Sequence, residues 1–333
     1  MTWILTDFKG ELAALSAALI WAIASLIYVL LGRQLLPTVL NFIKSGLAVG
    51  MILLTLLGRG DVSPNVGTVP LVLLALSGAI GIGLGDTAFF ASLNRLGARQ
   101  TLLIEALAPP LAAILAAIFL DEYLGYFAWF GIVLTVGGVT WVVLERLPRE
   151  SKANPQNSST TKFDPDSASL PSPPLSTAPV SPSLWQSLTQ GGLGFGLFAA
   201  FAQASGAVLS RAALAETSVN PLWSTLIRLV GGLLVLLLLP ELHQGLRSGL
   251  QALRSPRFSL ILLSASFAGT YLGIWLQQTA LKFAPAGIAQ ALTATSPLFI
   301  LPFAVWTGDR ITPRACLGVL IALGGIWLLF SPG

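Results

Sequence analysis

The sequence predicts an all-α polytopic membrane protein of ten transmembrane helices, arranged as two inverted five-helix repeats. Three observations carry this expectation: composition, the length of the apolar runs, and a correspondence between the two halves of the chain. Of 333 residues, 54% are hydrophobic and 10% charged, and the mean hydropathy is +0.80, a balance that no soluble domain of this length needs. A spanning helix takes about 20 mostly apolar residues. Runs of that kind lie at 11–31, 37–57, 70–94, 98–120, 125–144, 190–214, 221–239, 258–281, 286–307 and 313–330. The first is too long for the core of a signal peptide and reads as a retained span. Tight hinges at 95–98 and 282–286 separate consecutive spans.

Residues 145–186 break the pattern. They are rich in proline and serine, with almost no large apolar side chains, and such a segment cannot bury enough surface to fold. It reads as a disordered linker between a first repeat, 1–144, and a second, 187–333. Across the linker, Pro37 followed by Lys44 matches Pro221 followed by Arg228 at an offset of 184 residues. Further on, Pro110 matches Pro297, Asp121-Glu122 falls opposite Gly308-Asp309, and GIVLTVGG from Gly131 falls opposite GVLIALGG from Gly318, at an offset of 187. Duplication is the economical reading. Five spans per copy force the two copies into opposite orientations, and inverted repeats of this kind hold their substrate near the midplane.

The stretches FFASLNRLGARQTLLIEALAPPLAAILAAIFLDEYLGYFAWFGIVLTVGGV and QQTALKFAPAGIAQALTATSPLFILPFAVWTGDRITPRACLGVLIALGGI resemble the paired repeats of EamA-type carriers in the drug/metabolite transporter superfamily. The resemblance covers nearly the whole chain apart from the linker. It rests on a small-residue hinge, a proline-broken helix, an acid in the following loop and a glycine-spaced fifth helix. It implies transport of a small metabolite, amino acid or drug-like compound in the plasma membrane, and it leaves the cargo open.

Other chemistries find little support. The single cysteine, Cys316, and the single histidine, His243, which is expected in a loop, give no metal cluster and no nucleophile–base pair. No catalytic residue, metal or cofactor is therefore expected. Positive charge is dispersed over the loops, so nucleic acid is not an expected partner. The expected partners are a small-molecule substrate and the lipid bilayer, with a homodimer as a candidate assembly. The glycine run GIGLGD at 81–86 has the wrong spacing for a dinucleotide loop. Gly81 and Gly85 instead make a small-xxx-small helix face.

Candidate site residues are the polar groups inside the predicted spans, where a charge at the helix centre costs about 2.5–3.5 kcal/mol on insertion scales. These are Asp86, Glu105, Lys44 and Arg228. At about 1.5 Å of rise per residue, Lys44, Asp86 and Glu105 sit at similar depths from one face, and Arg228 sits at the matching depth from the other. One reading makes a carboxylate the proton-coupling or substrate-amine site and the cations anchors for cargo anions; the bland one is an ion pair of Lys44 with Asp86 or Glu105. Trp21, Ser25 and Tyr28, and likewise Tyr271, Trp275, Gln278 and Lys282, form stripes at helical spacing. Gln203 and Gln290 are further intramembrane amides that need a partner or a cavity. Pro109, Pro110 and Pro297 are hinge candidates, since proline frees backbone carbonyls.

Two expectations about sidedness conflict. One face collects Arg33, Arg95, Arg99, Arg146, Arg149, Lys152, Lys162, Arg247, Arg254, Arg257, Arg310 and Arg314, and the other only Lys9, Arg59, Arg211 and Lys282. The positive-inside rule thus places the linker in the cytoplasm and both termini outside, whereas the resemblance implies cytoplasmic termini. The functional expectation is a secondary transporter, exporting by alternating access with protons as the candidate coupling ion. Its rivals are a membrane-embedded enzyme, which lacks the residue clusters for its chemistry, and a non-transporting sensor or partner subunit.

Overall fold

The computed structural model describes residues 8–32, 35–61, 66–146, 191–306 and 312–330. The linker from 147 onward, Trp3, Arg33, Arg149, Lys152, Lys162, Trp185, Gly308-Asp309 and Arg310 lie outside the described residues. Every regular element among those described is helical. The first half contains α1 (Lys9–Gly32), α2 (Pro37–Gly58), α3 (Thr68–Gly78), a π-helical segment π1 (Ala79–Gly85), α4 (Asp86–Glu105), α5 (Ala108–Phe119) and α6 (Tyr126–Arg146). The second half contains α7 (Gly192–Leu214), α8 (Pro221–Leu237), α9 (Pro240–Ala252), α10 (Pro256–Ala265), π2 (Ser266–Leu272), α11 (Gly273–Phe283), α12 (Ala286–Thr293), α13 (Ser296–Trp306) and α14 (Pro313–Leu329). Proline opens α2, α8, α9, α10 and α14, where its missing N–H would have had no helical partner. Asn220 Oδ1 and Thr312 Oγ1 accept the first free N–H groups of α8 and α14.

Among the described residues, six helical runs are long and apolar enough to cross a membrane: Pro37–Gly58, Thr68–Ser92, Gln100–Phe119, Tyr126–Glu145, Gly192–Leu214 and Pro256–Phe283. Counting α8 and α9, bent by 89°, as one span gives seven. Ala286–Pro302 and Pro313–Leu329 are shorter apolar helices. The chain is thus a multi-pass membrane protein.

The hinge predicted at 95–98 carries helical backbone, yet the chain turns back there. Ser92 Oγ and Thr101 Oγ1 are 3.2 Å apart, whereas nine residues of straight helix would separate them by about 13 Å. Two predicted spans are not single helices. The run 98–120 breaks at Ala106–Leu107 and the run 286–307 at Ala294–Thr295. In both, the prolines follow the break: Pro109 and Pro110 lie in the first turn of α5 and Pro297 is the second residue of α13. They start the new helix instead of kinking the old one, because proline tolerates the first turn, where its missing N–H would have had no partner. His243 is also placed differently from expectation: it is exposed on α9, in a helix and not in a loop.

The halves interlock through backbone approach. At the end of α3, a Cβ on Gly78 would fall 1.8 Å from Arg228 O, and in π1 one on Gly83 would fall 2.7 Å from Val235 Cβ, so this face fits only glycine against α8. Gly81 and Gly85 meet α7 at Gly206 and Ala202, as the small-xxx-small reading expects. On the other side, π2 packs on α1 and α2, with Gly269 against Ala24 and Tyr28. The π segments are both seven residues long and stand at the 187-residue offset seen in the sequence. The fifth helices α6 and α14 meet through Gly131, Gly138, Gly318 and Gly325.

Candidate functional site

A wide turn in a helix leaves backbone carbonyls without a normal partner, and side chains from α1 and α2 are spent on them. Trp21 Nε1 donates to Gly269 O at 2.8 Å, the Tyr28 hydroxyl to Ala265 O at 2.9 Å, and Asn41 Nδ2 to Ile82 O at 3.2 Å. Ile82 and Gly269 occupy the same position in their respective π segments. These bonds fix α1 and α2 against both π segments, and between them lies a cavity of about 380 Å³.

Six of the ten predicted binding or coupling residues line it: Trp21, Lys44, Asp86, Glu105, Gln203 and Arg228. Their coming together depends on the fold-back at 92–101, since Asp86 and Glu105 would stand roughly 28 Å apart along a straight α4. Lys44 Nζ lies 3.4 Å from Asp86 Oδ2, and both side chains are largely buried. Gln203 Nε2 donates to Asp86 Oδ1 at 3.0 Å, so both Asp86 oxygens are engaged. The Lys44 ammonium also stands 5.7 Å from the Tyr28 ring centroid. This pairing is the ion pair of the bland reading, and it involves Asp86, not Glu105.

Glu105 is different. It ends α4, its Oε2 is buried without a hydrogen-bond partner, and it lines both the main cavity and a second chamber of about 140 Å³ bounded by α6 and Pro297. Arg228, 2% exposed, reaches the cavity past Gly81, whose Cβ would stand 3.1 Å from Nη2. Its Nη1 donates to Gln277 Oε1 at 3.3 Å, Gln277 Nε2 to Gln290 Oε1 at 3.4 Å, and Thr293 Oγ1 to the same Gln290 oxygen at 3.3 Å. A polar relay thus runs from the cavity to the break between α12 and α13.

The other candidates fall elsewhere. Gln290 belongs to that relay behind the cavity wall. Gln278 is fully buried and accepts from Ser224 Oγ at 2.7 Å. Tyr271 bonds Thr55 Oγ1 at 3.1 Å and stacks on Phe267, and Trp275 packs beside it in the same apolar cluster. The cavity is lined instead by Gln277, Thr270, Phe89, Phe90 and Ser296, which the sequence reading did not select.

At the Lys9 end of the bundle the loop acid of the first half makes a contact of its own. Glu122 pairs with Arg211 through Nε, and its Oε2 accepts from Ala286 N at 3.1 Å. Arg211 Nη1 donates to Leu281 O and Lys282 O. The pair therefore clasps both ends of the 282–286 hinge. Asp121 before it holds a left-handed φ of 54°, a conformation uncommon outside glycine that aspartate tolerates better than most residues. Alanines of α1, α5, α7, α11 and α12 pack tightly beneath, closing this end.

A family model described as the EamA-like transporter family matches residues 8–144 and 190–331. A solved structure described only as "Crystal structure of protein" is similar over 97% of this chain and 98% of its own, with a TM-score of 0.67 at 14% identity, a likeness of fold. No curated protein matches.

Proposed function

We propose that this chain, which belongs to the EamA-like transporter family over residues 8–144 and 190–331, is a ten-span secondary carrier of the plasma membrane. Two inverted repeats, 1–144 and 187–333, joined by the linker 145–186, export a small polar or amphipathic metabolite by alternating access, coupled to protons. The observation that carries this reading is the convergence of Lys44, Asp86 and Glu105 from the first half and Arg228 from the second on one cavity between the halves. Four ionisable groups at membrane depth are costly and mark a pathway more readily than a packing device.

The roles divide by partner. Asp86, held by Lys44 and Gln203, shapes the site. Glu105 carries the exchangeable proton, because its Oε2 makes no bond that protonation would break. With all four groups ionised their formal charges cancel, and a proton on Glu105 leaves the cavity with one positive charge.

Counterflow in proteoliposomes with a metabolite panel, with and without a pH gradient, tests the reading. Glu105→Gln and Asp86→Asn are expected to abolish gradient-driven flux while the protein stays folded. Normal driven flux in both variants would sink the coupling role. No flux of any compound would leave a non-transporting membrane subunit as the better reading.

A further inference from the structure

Arg228 is the cation of the cavity that, among the described residues, has no carboxylate within ion-pair distance. Lys44 has Asp86 at 3.4 Å, whereas Arg228 pairs with no carboxylate and its one side-chain bond goes to the neutral amide of Gln277. Its Nε is fully buried with no hydrogen-bond partner. A buried guanidinium without an anion in contact is expensive, and the Gln277 amide answers it with a dipole and not with a charge. The backbone instead makes room for it: a Cβ on Gly81 would crowd Nη2 at 3.1 Å, and Gly206 borders the same nitrogen at contact distance.

The rest of the wall restricts the occupant. Trp21, Tyr28, Phe89 and Phe90 also face the cavity, Phe89 and Phe90 meeting edge to face with centroids 5.6 Å apart. Trp21 spends its polar atom on Gly269 O of π2 and Tyr28 on Ala265 O and Thr270 Oγ1, so they offer the occupant ring surface. A planar guanidinium matches a carboxylate through two parallel bonds. Because Lys44 is already paired with Asp86, the site supplies one unopposed positive charge when Glu105 holds its proton, suited to a monoanion and not to a dianion.

We infer that Arg228 is the anchor for a monocarboxylate with a flat apolar body, its carboxylate on the guanidinium and its body among Trp21, Tyr28, Phe89 and Phe90. This deepens the carrier reading, on which it rests for the reason a ligand enters the cavity. It also assigns a further role to the relay: an anion on Arg228 competes with the Gln277 bond, and Gln277 leads through Gln290 to the α12–α13 break.

Thermal unfolding of the purified full chain with four probes of similar body tests the inference: phenylacetate, its methyl ester, phenethylamine and phenyl phosphate. A ligand that binds only the folded state raises its melting temperature. Phenylacetate is expected to stabilise the wild type, and the ester and amine to do so at least about tenfold more weakly. Arg228→Lys should weaken phenylacetate and Arg228→Gln should abolish its effect. Equal stabilisation by the ester or the amine overturns the anion site, as does no shift with phenylacetate, and a stronger response to phenyl phosphate overturns the carboxylate class. The wild-type series decides even if Arg228→Gln does not fold. Phenylacetate binding without flux of any compound would break the carrier reading and leave the anion site standing; flux independent of Arg228 would do the reverse.

Discussion

The two halves keep the same backbone and divide the chemistry between them. Lys44 and Arg228 are counterparts, seven residues beyond matching prolines, and π1 and π2 stand at one offset. The positions matching Asp86 and Glu105, however, are Gly273 and Leu292. The first half holds both carboxylates of the cavity, and the second answers with Arg228 and the Gln277–Gln290 relay. Symmetry is retained where backbones touch, since any change there is felt by both partners at van der Waals distance. Side chains facing an open volume meet no such constraint, and there the halves differ.

The sharpest way to break this comparison is at the seam between the fifth helices. A Cβ on Gly138 would lie 2.5 Å from Ala322 N and one on Gly325 2.4 Å from Thr135 N, while Gly137 and Gly324, one residue earlier, have nothing within 4 Å. Gly138→Val or Gly325→Val should abolish recovery of monodisperse protein in size-exclusion chromatography. Gly137→Ala and Gly324→Ala should be recovered like the wild type. If both pairs behave alike, the seam is not held by backbone approach.

A smaller effect separates the two carboxylates. Asp86→Asn leaves Lys44 in the cavity without its counter-charge and should lower the melting temperature, and adding Lys44→Met should restore much of it, with a coupling energy of about 1 kcal/mol. Glu105→Gln breaks no described bond and should leave stability unchanged or raised. A stabilising Asp86→Asn would show that the Lys44 contact does not hold in the membrane protein.

The Glu122 clasp should respond next. Arg211→Gln is expected to cost more than Glu122→Gln, because it also deprives the Leu281 and Lys282 carbonyls of their donor. The exchange Glu122→Arg with Arg211→Glu should not restore stability, since it would point a cation at the Ala286 N–H and an anion at two carbonyls. Melting temperatures of the three proteins check this, and full recovery in the exchange would reduce the contact to simple charge pairing.

Much of this was legible in the sequence, and the exceptions share a cause. The charged layer could be read because charge in an apolar run stands out, and the duplication because glycine and proline mark backbone contact. The register of the second stripe could not. Tyr271, Trp275 and Gln278 fit a 3.6-residue period only if the helix is regular, but Tyr271 lies within π2. A π segment widens the turn and rotates all that follows, so Gln277 faces the cavity and Gln278 turns to Ser224. The glycine run AIGIGLG, residues 79–85, was the available signal in the first half; SFAGTYL, residues 266–272, carries only one glycine. Arg211 was read only as a loop charge, because pairing with Glu122 across the halves is a property of the fold.

The smallest expected effect tests that rotation directly. Tyr271→Phe removes one hydroxyl whose partner, Thr55, also bonds Met51 O at 2.9 Å, so Thr55 is not left unsatisfied. A single neutral hydrogen bond of this kind contributes about 1 kcal/mol, and the ring stays stacked on Phe267. Flux should therefore be unaltered, with at most a small fall in melting temperature. Gln277→Leu, only six residues further on, takes away the side-chain acceptor of a buried guanidinium and should impair flux severalfold. If Tyr271→Phe impaired flux and Gln277→Leu did not, the regular-helix stripe would be the correct register and the rotation imposed by π2 would be wrong.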